Sequence, residues 1–89
     1  MSQTQDRWVQ ARAMVRSRAW RAGYASARRG EDAQFMDRGT KALAYEYGRL
    51  TAAWLRGEGQ LLPWVSERRP LPDYLVRYMA EALMDCATA

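Results

Sequence analysis

The chain has 89 residues and a mass of 10.3 kDa, enough for one domain with one modest core. Fourteen basic residues against 10 acidic ones give a formal charge of +4, and histidine is absent. With no imidazole and a single cysteine, Cys86, the sequence excludes an internal disulfide, histidine metal sites and a Ser-His-Asp triad.

Alanine dominates the 48% apolar fraction and favours helix while burying little area. Four Trp, five Tyr and five Met supply the larger side chains, so the core is expected to be built from aromatics and Met. Nothing alternates with period two over a useful length, and β-branched residues are scarce. The expected class is all-α: a small three-helix domain over residues 1–89 with ordered loops containing Pro and Gly. The polar start from Met1 to Asp6 and the lack of a long apolar run predict no membrane partner and cytoplasmic residence.

The first helix is expected over about residues 6–29, stopped by Gly30. Its apolar residues fall on two stripes, Trp8, Ala11, Val15, Ala19, Ala22 and Val9, Ala13, Trp20, Tyr24, Ala27. Unbroken, it extends about 36 Å, more than the roughly 31 Å diameter expected of a globule this size. It must bend near Gly23 or project at its N-terminal end. Glu31-Asp32 is expected to cap a following turn.

A second helix is expected over about residues 40–56, with Thr40 as N-cap, Gly57 as stop and a buried stripe of Leu43, Tyr47, Leu50 and Trp54. Whether residues 31–38 form a separate turn or extend this helix is open at this point. The apolar run Leu61-Leu62-Pro63-Trp64-Val65 follows; Trp54 is read as core, and Trp64 either plugs the core, the preferred reading, or forms an exposed patch. A third helix is expected over about residues 72–86, opened by Pro72 or Asp73 and burying Leu75, Val76, Met79, Ala82, Leu83 and Cys86.

Charge is distributed unevenly. The first 29 residues carry seven Arg and one acid, a balance of +6, whereas the remainder balances at −2. Arginine offers a planar fork to phosphate or carboxylate and stacks on rings. Trp8, Arg12, Arg16, Arg18, Arg21, Tyr24, Arg28 and Arg29 are therefore the candidate partner-binding residues. The competing reading is a solvated helix whose last arginines complement its C-terminus. Glu81 and Asp85 stand four residues apart, but Arg77 pairs naturally with Glu81 at i,i+4 on a polar face. Cys86 lacks any partner that would lower a thiol pKa. No catalytic activity and no cofactor are expected.

Ala22-Gly23-Tyr24-Ala25, followed by Ala53-Trp54-Leu55-Arg56-Gly57, resembles ribosome modulation factor and its small phage and plasmid relatives. The likeness spans Ala19 to Glu58. The family's Asn-Pro-Tyr turn is replaced by Gln34-Phe35-Met36-Asp37, and Glu58 stands where a second Trp is usual. The resemblance implies a helical hairpin that binds ribosomal RNA, with Arg21, Tyr24, Arg28 and Arg29 as contacts.

Two functional expectations follow. One is a non-catalytic inhibitor or adaptor, of the phage or mobile-element kind that includes anti-CRISPR proteins, docking on a larger protein or nucleoprotein machine through an Arg and aromatic helix. The other is nucleic-acid binding through the same helix. A second copy of the chain is a further candidate partner, because a helix with two apolar faces can bury one against its own kind.

Overall fold

The computed structural model describes residues 3–33 and 39–88, and every regular element among them is helical. Four helices follow in chain order: α1 (Gln3–Val15), α2 (Arg18–Arg28), α3 (Thr40–Gly57) and α4 (Asp73–Thr88). The all-α class holds, with one helix more than the expected three. The radius of gyration is 12.1 Å.

The extra helix arises because the long Arg-rich segment breaks at Arg16–Ser17, not at Gly23. Ser17 adopts an extended backbone, φ −76° and ψ 147°, and its hydroxyl accepts from the Trp20 N–H at 3.1 Å while donating to the Met14 carbonyl at 2.6 Å. One serine thus caps the start of α2 and ties off the end of α1. The break lets α1 fold back onto α4, while α2 enters the centre of the molecule.

α2 is buried on nearly all sides, with Trp20 and Tyr24 fully enclosed and their rings stacked 5.3 Å apart. Gly23 lies mid-helix where α3 crosses. A Cβ there would land on the Tyr45 carbonyl, and one on Gly48 would land on the Trp20 carbonyl. Glycine at both positions is what lets the two backbones approach this closely.

That approach decides which side of α3 faces inward. Ala44, Tyr45, Gly48, Thr51, Ala52 and Leu55 are buried. The expected stripe lies at the margin instead: Leu43 and Leu50 are 46% and 49% exposed, and Tyr47 and Trp54 are half-buried. Small residues win the interior because they bring backbone against backbone and leave no void. Trp64 is also corrected, being exposed beside a fully buried Val65.

Helix ends show two further corrections. Gly39, not Thr40, is the N-cap of α3, and Gly59 rather than Gly57 takes the left-handed conformation after its end. The Gly59 N–H bonds the Arg56 carbonyl and the Gln60 N–H bonds the Leu55 carbonyl. Gly30 ends α2 by the same paired bonds, to Ala27 and Ser26. Glu31 and Asp32 are not helical, and Glu31 pairs with Arg29, while the turn they were expected to cap lies outside the described residues. The stretch aligned with the family's Asn-Pro-Tyr turn lies outside the described residues. α4 begins after Pro72, whose carbonyl accepts from Leu75 and Val76, and it buries Leu75, Val76, Met79, Ala80, Ala82 and Leu83, with Cys86 half-buried. No helix among the described residues is long and apolar enough to cross a membrane.

Candidate functional site

The arginines divide into two populations. In the first, guanidinium groups are spent on backbone carbonyls. Arg56 donates to the Ala27 and Arg28 carbonyls at 2.8 and 3.0 Å, and Arg49 donates to the Ser26 hydroxyl and the Glu31 carbonyl, each at 2.9 Å. Together with the Arg29, Gly30 and Glu31 N–H groups, Arg56 satisfies the last four carbonyls of α2, and Arg49 holds the chain just beyond them. Two α3 cations therefore sit at the negative end of the α2 dipole.

Arg21 belongs to this population. It is 6% exposed and donates to the Arg16 carbonyl at 2.7 Å and the Glu67 carbonyl at 3.1 Å. It clamps the α1–α2 corner to the loop of residues 58–72. Burial, then neighbouring Arg18, pulls its pKa below the ordinary guanidinium value, while Glu67 opposes that shift. Tyr24 is equally internal, its hydroxyl accepting from the Leu62 N–H at 3.1 Å, and burial raises its pKa. Neither Arg21 nor Tyr24 can reach a partner in this fold, which corrects both as contact residues, on composition and on the family resemblance alike.

The other expected residues are distributed unevenly. Arg28 is half-buried. Arg29 is exposed but holds Glu31 through a forked pair at 2.9 and 3.2 Å, which lowers the Glu31 pKa. Trp8 is half-buried against the core with Arg12 over its ring at 5.5 Å. That leaves Arg16 and Arg18 exposed at the corner, with Arg12 half-buried one turn earlier on α1.

The corner joins them to residues that the sequence reading missed. Arg18 stands 3.6 Å from Glu67, and Arg16 stands 3.7 Å from Asp73, so the loop before α4 lies against the α1–α2 junction. This brings exposed Arg68 and Arg69 to the same edge. Both ion pairs are long and solvent-exposed, hence weak and easily exchanged. Two exposed aromatics flank the edge in the chain, Trp64 at 49% and Tyr74 at 73%. The Arg16–Asp73 pair ties the first residue of α4 to the α1–α2 corner. The visible signal was the Arg68-Arg69 pair, but only the Arg21–Glu67 clamp shows which surface it joins.

A cleft of about 310 Å³ opens beside this edge between α2, Tyr45 and residues 66–68, with Arg29 and Arg68 among its walls. On the far side, Cys86 donates to the Leu83 carbonyl at 3.2 Å, and burial pushes its thiol pKa up, assisted by Asp85. No group of three or more Cys, Asp or Glu among the described residues is placed to hold a metal ion. Comparison with protein-family models, with curated proteins and with solved structures finds no match to this chain.

Proposed function

We propose that the chain is a non-catalytic binding protein that docks on the phosphate backbone of a nucleic acid, as presented by a larger nucleoprotein assembly, through the edge formed by Arg12, Arg16, Arg18, Arg68 and Arg69. The observation that carries this reading is the division of the arginines. Arg21, Arg49 and Arg56 are committed to carbonyls, whereas Arg16, Arg18, Arg68 and Arg69 are exposed and Arg12 is half-buried, with Glu67 and Asp73 as weak, exposed counter-charges among the described residues. Guanidinium forks suit phosphate oxygens, and exposed Trp64 and Tyr74 offer rings on which unpaired bases stack.

The inhibitor or adaptor expectation relied on a helix presenting Arg and aromatic anchors together. Trp20, Arg21 and Tyr24 are used in the core, so that helix has few anchors left for a protein pocket. The resemblance to ribosome modulation factor makes RNA the first probe to use, with the contacts moved from Arg21 and Tyr24 to the edge.

The test is fluorescence anisotropy of a labelled single-stranded RNA and an RNA hairpin, titrated over a range of salt. The expected result is binding at low salt, with log affinity falling against log salt at a slope of about −3, the value for roughly four phosphate contacts on a single strand. Absence of binding at low salt overturns the reading and returns the edge to a protein-docking role.

A further inference from the structure

The cleft between α2, Tyr45 and residues 66–68 differs in charge from the edge it opens on. Its two cations, Arg29 and Arg68, are matched by two carboxylates, Glu31 and Glu67, so the lining is neutral. Phosphate is favoured at the cationic edge, and an uncharged group in the cleft. Ala22 and Ala25 give it an apolar wall, and its volume of about 310 Å³ lies at the lower end of the range for small-molecule pockets, ~300–1,000 Å³. Size and neutrality together suit one unstacked nucleobase.

The polar groups of the cleft divide into those already used and those still available. Buried Ser26 accepts from the Tyr45 hydroxyl at 3.1 Å and from Arg49 at 2.9 Å. Arg29 spends Nε and Nη2 on Glu31, which leaves Nη1 uncommitted among the described residues. Glu67 is fixed at its backbone, where Arg21 holds the carbonyl at 3.1 Å, but its carboxylate has only Arg18 at 3.6 Å among them. The two available groups also sense each other. The Arg29 pKa is raised chiefly by its bond to Glu31, and further by the charge of Glu67.

We propose that the cleft takes one unpaired guanine of the RNA held at the edge, with the Glu67 carboxylate accepting from guanine N1–H and N2–H and Arg29 Nη1 donating to O6. The hydrogen-bond pattern selects guanine among the four bases. Guanine sets two donors side by side on its Watson–Crick edge and carries acceptors at O6 and N7. Adenine and cytosine place a ring-nitrogen acceptor beside their amino group, and uracil flanks its one N–H with two carbonyls. Each of these turns a lone pair toward Glu67, which an ionised carboxylate cannot satisfy. Arg68, at the mouth, stays on the phosphate. The inference rests on the RNA reading above and adds a base preference to it.

Fluorescence anisotropy at low salt tests it, with a short labelled uridine strand and the same strand carrying one central guanosine, adenosine or inosine. The guanosine strand is expected to bind about tenfold more tightly than the uridine strand. Adenosine is expected to add nothing, and inosine, which lacks the N2 amine, to lose most of the gain. Glu67→Gln is expected to bring the guanosine and uridine strands to equal affinity at an unchanged urea midpoint. Phosphate contacts are common to both strands, so their ratio reads the cleft alone. Equal affinities in the wild type overturn the inference and leave the RNA reading standing, as does a guanosine preference that survives in Glu67→Gln. If neither strand binds, the RNA reading fails and this inference falls with it.

Discussion

The seam between α2 and α3 and the edge where α1 meets the loop of residues 58–72 are both rich in arginine, yet they use it in opposite ways. At the seam, Arg56 lies on the last carbonyls of α2 and Arg49 on the Glu31 carbonyl just beyond, and Gly23 and Gly48 hold the backbones in contact. At the edge, Arg16 and Arg18 have only carboxylates more than 3.5 Å away, and those carboxylates are themselves exposed. The same side chain is a structural cap where it finds an orphan carbonyl, and a free cation where it does not. The fold is therefore secured by one set of cations, and the other can change partners without unfolding it.

The sharpest way to break this contrast is Gly48→Ala. The new Cβ meets the Trp20 carbonyl and the Tyr24 N, so the helices must separate. Urea unfolding is expected to show a loss of about 3 kcal/mol or more. Arg21→Ala comes next. Removing a buried guanidinium that bridges the Arg16 and Glu67 carbonyls is expected to cost about 2–3 kcal/mol, while the folded protein keeps its RNA affinity unless release of the loop displaces Arg68 and Arg69.

Tyr24→Phe is expected to cost about 1 kcal/mol at neutral pH by leaving the Leu62 N–H without its acceptor. It also has a pH signature. Burial raises the Tyr24 pKa, so above about pH 10 the unfolded chain gives up a proton that the native state retains. Stability falls as pH rises through that window, and the Phe variant is expected to lose this component of the alkaline decline in urea midpoints. The smallest stability effect belongs to Glu67→Gln. Its carboxylate pairs only weakly with Arg18 while its carbonyl still accepts from Arg21, so stability is expected to stay within about 0.5 kcal/mol. RNA affinity is expected to increase because an intramolecular competitor of phosphate is gone.

Helical class, the buried face of α4 and the stop at Gly30 were legible because each depends on neighbours within a turn or two. The orientation of α3 was not. Counting bulky residues favours the sector of Leu43, Tyr47, Leu50 and Trp54, whereas the interior goes to Ala44, Gly48 and Ala52, whose smallness matters only once Gly23 is known to lie opposite. The division of the arginines was hidden for the same reason. Arg56 finds its carbonyls in α2, 29 and 28 residues earlier, and Arg21 finds one 46 residues later. Counting charges over the first 29 residues therefore credited the buried Arg21 to the surface, and overlooked Arg68 and Arg69.

The division of the arginines can be read from the salt dependence of RNA binding for a triple variant, Arg18→Ala with Arg68→Ala and Arg69→Ala, measured beside the wild type. The expected slope is shallower by about 2, three lost phosphate contacts on a single strand, with an unchanged urea midpoint. An unchanged slope would contradict it, as would a lost midpoint, which would place these arginines among the structural caps.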